Sequence, residues 1–121
     1  MNILITGGAG FLGTQLARAL ADAGTIALAD ASGKTCTESI DRITCFDVVA
    51  GTLEHPSVVN RAGDIADPKT VDALVDRDTG IVVHLAAVVS GTAEADFDLG
   101  MKVNLDGTRN LLEACRRAGH K

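Results

Sequence analysis

Three glycines at three-residue intervals stand near the start of the chain. The run Thr6-Gly7-Gly8-Ala9-Gly10-Phe11-Leu12-Gly13 follows an apolar stretch, Ile3-Leu4-Ile5, and leads into a helical pattern. A turn without side chains lets backbone N–H groups come close to an anion. A helix starting there aims the positive end of its dipole at the same point. Gly13, one turn further on, lets the helix pack closely on the strand. The chemistry this spacing suits is the cradling of a dinucleotide pyrophosphate by the segment Gly7, Gly10, Phe11, Leu12 and Gly13. A carboxylate at the end of the second core strand would then hold the adenosine ribose hydroxyls. Asp30 and Asp47 compete for that role. The usual gap of about 20 residues favours Asp30, and the strand pattern favours Asp47, the preferred reading. Either carboxylate repels a 2′-phosphate and neither has an arginine beside it, so the expected cofactor is NAD rather than NADP.

These residues need strands and helices to hold them. Asn2 to Thr6 reads as a buried strand. Phe11 to Ala23 reads as a helix with Phe11, Leu12, Leu16, Ala19, Leu20 and Ala23 on its apolar face and Gly24 at its end. Two segments compete for the next strand, Thr25 to Asp30 and Arg42 to Asp47. The second is β-branched and aromatic and is preferred, which makes 25–41 an insertion, a small hairpin. Ser57 to Ala62 reads as a third strand. Asp67-Pro68 opens a helix, with Asp67 as N-cap and Pro68 at the first helical position. Gly80 closes that segment, Ile81 to Leu85 is a fourth strand, and a long helix runs from about Asp96 to Ala118. Gly107 inside it costs about 1 kcal/mol against alanine, so a neighbour should require it small. Alternating strands and helices give an α/β class: a Rossmann-type parallel sheet with flanking helices, cut off after about four core strands.

Composition narrows the function further. The chain has 121 residues, 46% hydrophobic and 22% charged, with a net charge of −5, which suits one folded domain. No apolar run approaches the length of about 20 residues that spans a membrane, and no secretory leader pattern opens the chain. Cys36, Cys45 and Cys115 have neither a paired framework nor metal-ligand spacing, and read as reduced thiols of a cytoplasmic protein. An acidic balance without a Lys/Arg cluster argues against nucleic acid as a partner. Glu94, Asp96 and Asp98 read as a solvated helix entry, and no metal site is expected.

Four motifs in order carry a resemblance: Thr6-Gly7-Gly8-Ala9-Gly10-Phe11-Leu12-Gly13, Gly63-Asp64-Ile65, His84-Leu85-Ala86-Ala87 and Asn104-Leu105-Asp106-Gly107-Thr108. The series resembles the extended short-chain dehydrogenase/reductases, the NAD-dependent epimerase/dehydratase group, over nearly the whole chain. The resemblance implies that Asp64 and Ile65 contact the adenine. It implies that Leu85, Ala86 and Ala87 line the cofactor's path and that Asn104 projects toward the active site from the long helix. Val88 and Ser90 would begin the pocket of a small-molecule substrate, and the 96–118 helix would contribute to a homodimer interface. His84 is expected as a structural group at the strand end rather than a general base. A narrower likeness, to a subgroup that oxidises a small sugar acid, rests on His84 to Gly91 continuing into Glu94 to Gly100. The alternatives are the N-terminal part of a nucleotide-sugar epimerase or dehydratase, and a non-catalytic NAD-binding module.

In this family a Ser/Thr and a Tyr-x-x-x-Lys carry the chemistry, and the chain contains no tyrosine. No catalytic residue is therefore assigned. The expectation is that these residues form the cofactor-binding N-terminal part of a longer enzyme and do not transfer hydride alone.

Overall fold

The computed structural model describes residues 1–119, apart from the side chain of Ser90; His120 and Lys121 lie outside the described residues. Its centre is β1 (Asn2–Thr6), whose residues Ile3 to Thr6 are at most 1% exposed. A strand apolar on both faces must be covered on both. β1 pairs in parallel with β4 (Arg42–Asp47) on one side and with β6 (Thr79–His84) on the other, and β5 (Val58–Ala62) adds in parallel to β4. The order is β5-β4-β1-β6.

The strand period of two sends alternate residues to opposite layers. Ile3, Ile5, Ile43 and Cys45 pack with Ala17 and Ala21 of α1 (Phe11–Ala23). Leu4 and Phe46 pack with Ile65, with Val71 of α2 (Pro68–Asp72), and with Leu111 and Ala114 of α5 (Thr108–Ala118). The result is a three-layer α/β/α sandwich.

The face of α1 differs from the expectation in part. Phe11 and Leu12 are 80% and 67% exposed, and the buried row is Gly13, Ala17 and Ala21. Small residues let the helix lie close to the sheet, Leu16 and Leu20 pack half-buried against the same core as expected, and Phe11 and Leu12 are turned away from it. Gly24 ends the helix as expected, in the left-handed conformation (φ 64°) with its N–H on the Leu20 carbonyl.

β2 (Thr25–Ala29) and β3 (Thr35–Ser39) form an antiparallel hairpin sheet of their own, with Leu28 opposite Cys36. The strand beside β1 is therefore the Arg42–Asp47 segment. Every residue of β3 is exposed, Cys36 included, and Ile26 of β2 is the hairpin's contact with the core.

One expected boundary is corrected. β6 begins at Thr79, so Gly80 lies inside the strand; a Cβ there would sit 2.2 Å from Met1 Cε, and the packing of Met1 explains the glycine. The long helical stretch runs from Phe97 to Ala118, as expected, but its pitch is not uniform. α3 (Ser90–Ala95) ends at Asp96, whose carboxylate accepts from Leu99 N at 3.0 Å and caps α4 (Phe97–Gly100). Met101–Gly107 then winds as a π-helix before α5 resumes the α-helical pitch. Gly107 has its reason in Ile65, whose Cγ2 would lie 2.8 Å from an added Cβ. The guanidinium of Arg117 holds Asp72 and ties α5 to α2. Among the described residues no helix is long and apolar enough to cross a membrane, and no His/Cys/Asp/Glu group has the arrangement of a metal site.

Candidate functional site

The chain leaves β1, builds β4 and β5 on one side, then crosses back to place β6 on the other. The crevice beyond the carboxyl ends of the strands at such a reversal is where open parallel sheets bind ligands. A cleft of about 380 Å³ lies there, within the size range of small-molecule sites. Its lining comes from the residues that follow each strand: Gly7 and Gly10 after β1, Asp47 and Val48 at the end of β4, Gly63 to Ile65 after β5, Leu85 to Val88 after β6.

The glycine turn is held tightly. Gly7 has φ +71°, and a Cβ on it would come within 2.7 Å of the Leu85 carbonyl carbon. Gly8 N donates to Phe46 O at 3.1 Å, and Ala9 N donates to Asp47 Oδ2 at 3.1 Å. Asp47 Oδ1 accepts from Val48 N at 2.8 Å, so each oxygen of this carboxylate already holds one backbone N–H. A carboxylate has about four lone-pair sites, which leaves acceptor capacity on the cleft side. Asp30 is elsewhere. It closes the hairpin turn, accepting from Ser32 N, Ser32 Oγ and Lys34 N, and the Ser32 hydroxyl leads the bonds that hold its pKa below the ordinary carboxylate value.

α1 opens at Gly10 without a side-chain cap and with no acidic residue in its first turn. The N–H groups of that turn, on Phe11, Leu12 and Gly13, lack intrahelical acceptors, and the positive end of the helix is uncompensated. The side chains of Phe11 and Leu12 are exposed, so their part in the site is their backbone. Gly13 packs inward instead: a Cβ on it would lie 2.2 Å from the Gly7 carbonyl oxygen. At Gly10 an added Cβ meets only that same oxygen, at 3.3 Å. Packing makes a milder demand there, and the bare Cα lines the cleft.

Asp64 Oδ1 accepts from Ala66 N at 2.8 Å, and Lys102 Nζ stands 3.5 Å from Oδ2. The Ile65 side chain is core, so what it presents to the cleft is backbone. Asn104 turns both ends of its amide to one residue: Oδ1 accepts from Val88 N at 2.8 Å and Nδ2 donates to Val88 O at 3.0 Å. It fixes the loop after β6 from the π-helix. Ala86 and Ala87 form part of the floor. Ser90 opens α3, and its side chain is outside the described part. His84 lies between Thr6 and Thr108 behind the cleft, where burial lowers its pKa from the usual histidine value.

Comparison with known proteins gives the family. The model of the "NAD dependent epimerase/dehydratase family" matches residues 3–121. The chain belongs to that family. Among its members, the chain is 56% identical to D-erythronate dehydrogenase of Cupriavidus necator, over all of this chain and 36% of that protein. It is 36% identical to D-erythronate dehydrogenase of Haemophilus influenzae, over all of this chain and 35% of that one. The chain thus spans about a third of the length of the curated relatives it matches. A nucleoside-diphosphate-sugar epimerase structure from Agrobacterium tumefaciens superposes with a TM-score of 0.80 at 37% identity, covering 98% of this chain and 33% of that one. A mutant uronate dehydrogenase from the same organism, complexed with NAD, superposes with a TM-score of 0.74 at 25% identity, covering 98% and 37%.

Sequence reasoning missed part of this cleft. Phe46, Val48, Leu99 and Val103 also line it. Asn110, one turn after Gly107, donates from Nδ2 to Ile65 O at 3.3 Å and Ala66 O at 3.0 Å, fixing the loop after β5. An asparagine within an amphipathic helix was the available signal, since it favours caps and loops over helix interiors.

Proposed function

We propose that this chain binds NAD in the cleft beyond the strand ends and forms the cofactor-binding part of an oxidoreductase that acts on a small sugar acid. The observation that carries the reading is the convergence of an uncapped helix N-terminus, the bare Cα of Gly10 and the Asp47 carboxylate on one crevice. Gly10 is the test of fit. A side chain there would fill the space nearest the α1 N-terminus, where a pyrophosphate would sit.

In this reading Gly7, Gly10 and the N–H groups of Phe11, Leu12 and Gly13 take the phosphates, and Asp47 accepts from the adenosine ribose hydroxyls. Asp64 and the Ile65 backbone meet the adenine. Leu85, Ala86 and Ala87 leave room for the dinucleotide, Asn104 holds the segment beside it, and Val88 and Ser90 open the substrate side. NAD, when bound, supplies a hydride acceptor. The residues of this chain bind and orient it and exclude a 2′-phosphate by charge.

The sugar-acid substrate rests on the 56% identity to D-erythronate dehydrogenase. A nucleotide-sugar substrate is the second reading, supported by the 37% identity to the nucleoside-diphosphate-sugar epimerase. We further propose a homodimer through the outward face of the 97–112 helical segment, where Phe97, Met101, Leu105 and Leu112 are exposed. Three free thiols support a reducing, cytoplasmic setting.

The test is calorimetric titration of the protein, expressed from its whole reading frame, with NAD and NADP, followed by spectrophotometry with D-erythronate. Binding of NAD well ahead of NADP, with NADH formed on adding D-erythronate, is the expected result. Equal affinity for the two cofactors would refute the role given to Asp47. NADH formation with nucleotide sugars alone would move the protein to the second reading.

A further inference from the structure

A chain of side chains runs behind the cleft from β1 through β6 to the π-helix. Ala86 N donates to Thr6 Oγ1 at 3.3 Å, Thr6 Oγ1 lies 2.6 Å from His84 Nδ1, and His84 Nε2 lies 3.0 Å from Thr108 Oγ1. The Thr108 hydroxyl donates to the Asn104 carbonyl at 2.6 Å. That last bond sets the direction of all the others. A carbonyl only accepts, so the single hydroxyl hydrogen of Thr108 is committed to Asn104. Thr108 Oγ1 must then accept from His84, which places a hydrogen on Nε2.

A neutral imidazole protonated at Nε2 has a bare Nδ1, and Thr6 donates its hydroxyl hydrogen there while accepting from Ala86 N. Every group in the series is satisfied. The other tautomer would leave the hydrogen of Thr6, a residue with 0% exposure, without an acceptor in this series, and would pull Thr108 away from Asn104. Burial acts in the same direction by keeping the imidazole neutral.

The two ends of this series meet the cleft. Ala86 is part of its floor, and Asn104 holds both backbone groups of Val88, two residues along the same floor. We infer that His84 is a positioning residue, held as its Nε2–H tautomer between Thr6 and Thr108, which sets the Ala86–Val88 floor from both sides. The consequence for binding rests on the NAD reading above; the tautomer does not.

The experiment uses ¹⁵N-histidine-labelled protein expressed from its whole reading frame, with the His84 resonances assigned by their loss in His84→Gln. In the wild type, without cofactor, the ring nitrogens should show one bare Nδ1 and one protonated Nε2. Thr108→Val removes the acceptor for Nε2–H at nearly constant volume. It should bring tautomer averaging and weaken NAD binding about tenfold, and Thr108→Ser should restore both. An Nδ1–H or averaged spectrum in the wild type overturns the inference, as does a Thr108→Val protein with unchanged spectrum and affinity. If Thr108→Val does not fold, the wild-type spectrum and the Thr108→Ser titration still decide. A wild type that shows the single tautomer but no NAD affinity would overturn the cofactor reading and leave the tautomer assignment standing.

Discussion

Gly10 and Gly13 lie three residues apart in one turn, and the same substitution should act on them in opposite ways. At Gly13 an added Cβ would lie 2.2 Å from the Gly7 carbonyl oxygen and 2.8 Å from Gly8 Cα. Both are backbone atoms and cannot rotate aside, so the glycine turn itself would have to move by about an ångström. Overpacking of this kind costs about 1–3 kcal/mol, and the better helix propensity of alanine returns at most about 1 kcal/mol. Gly13→Ala should therefore destabilise the fold by about 1–2 kcal/mol. At Gly10, φ is −71° and ψ 172°, which alanine adopts freely, and the sole close contact is 3.3 Å. The poorer N-cap and the lower entropy of the unfolded chain nearly cancel, leaving stability within about 0.5 kcal/mol. The new methyl group would instead occupy the cleft, and NAD affinity should fall at least about tenfold, or about 1.4 kcal/mol. Urea unfolding and calorimetric NAD titration of both variants separate the two effects. A Gly10→Ala protein that is stable and binds NAD like the wild type would refute the assignment of that space to the phosphates. Unchanged stability in Gly13→Ala would refute the argument from close packing.

Other outcomes follow from the same contacts. Asp47→Asn removes the charge and leaves one amide oxygen for Ala9 N, at the cost of the bond from Val48 N, and the preference for NAD over NADP should shrink about tenfold in paired titrations. Burial keeps the folded pKa of His84 below the ordinary 6.5, so the unfolded chain binds the proton first. Stability should fall as pH drops through and below that ordinary value, and urea midpoints at successive pH values should decline less in His84→Gln. Leu112 is 66% exposed on the face proposed to pair; Leu112→Glu should yield a monomer by sedimentation with an unchanged far-ultraviolet spectrum. A wild-type monomer would remove the dimer from the account.

What the sequence made legible depended on how many signals coincided. β1, the glycine turn and α1 were readable because an apolar run, a glycine spacing and a helical period adjoin. The pairing of Arg42–Asp47 beside β1 was readable from its β-branched and aromatic content, and the hairpin followed because that choice leaves 25–41 outside the core sheet. The packed face of α1 was readable only in part: Leu16 and Leu20 were placed on it, but counting bulky residues misplaces Phe11 and Leu12 and misses the buried row of glycine and alanine. Gly80 was misread as a stop because its reason, the side chain of Met1, lies at the other end of the chain segment. The π-helix has no residue signature: Met101 to Gly107 has the composition of an ordinary helix. The small-residue demand at Gly107 was legible, but its cause, Ile65, was visible only in three dimensions. The mutual bonding of Asn104 and Val88 likewise needed the fold.

The hairpin bears on how the protein can be observed. Cys36 is exposed on β3, whereas Cys45 is buried and Cys115 half-buried, and burial raises the pKa of both. The thiolate is the reactive form, so a thiol-directed dye at neutral pH should attach to Cys36 first. The label would sit on a ladder that is separate from the sheet bearing the cleft. The protein thus carries a built-in attachment point for a fluorophore, placed so that an optical signal can follow tumbling and assembly while the ligand crevice stays chemically untouched.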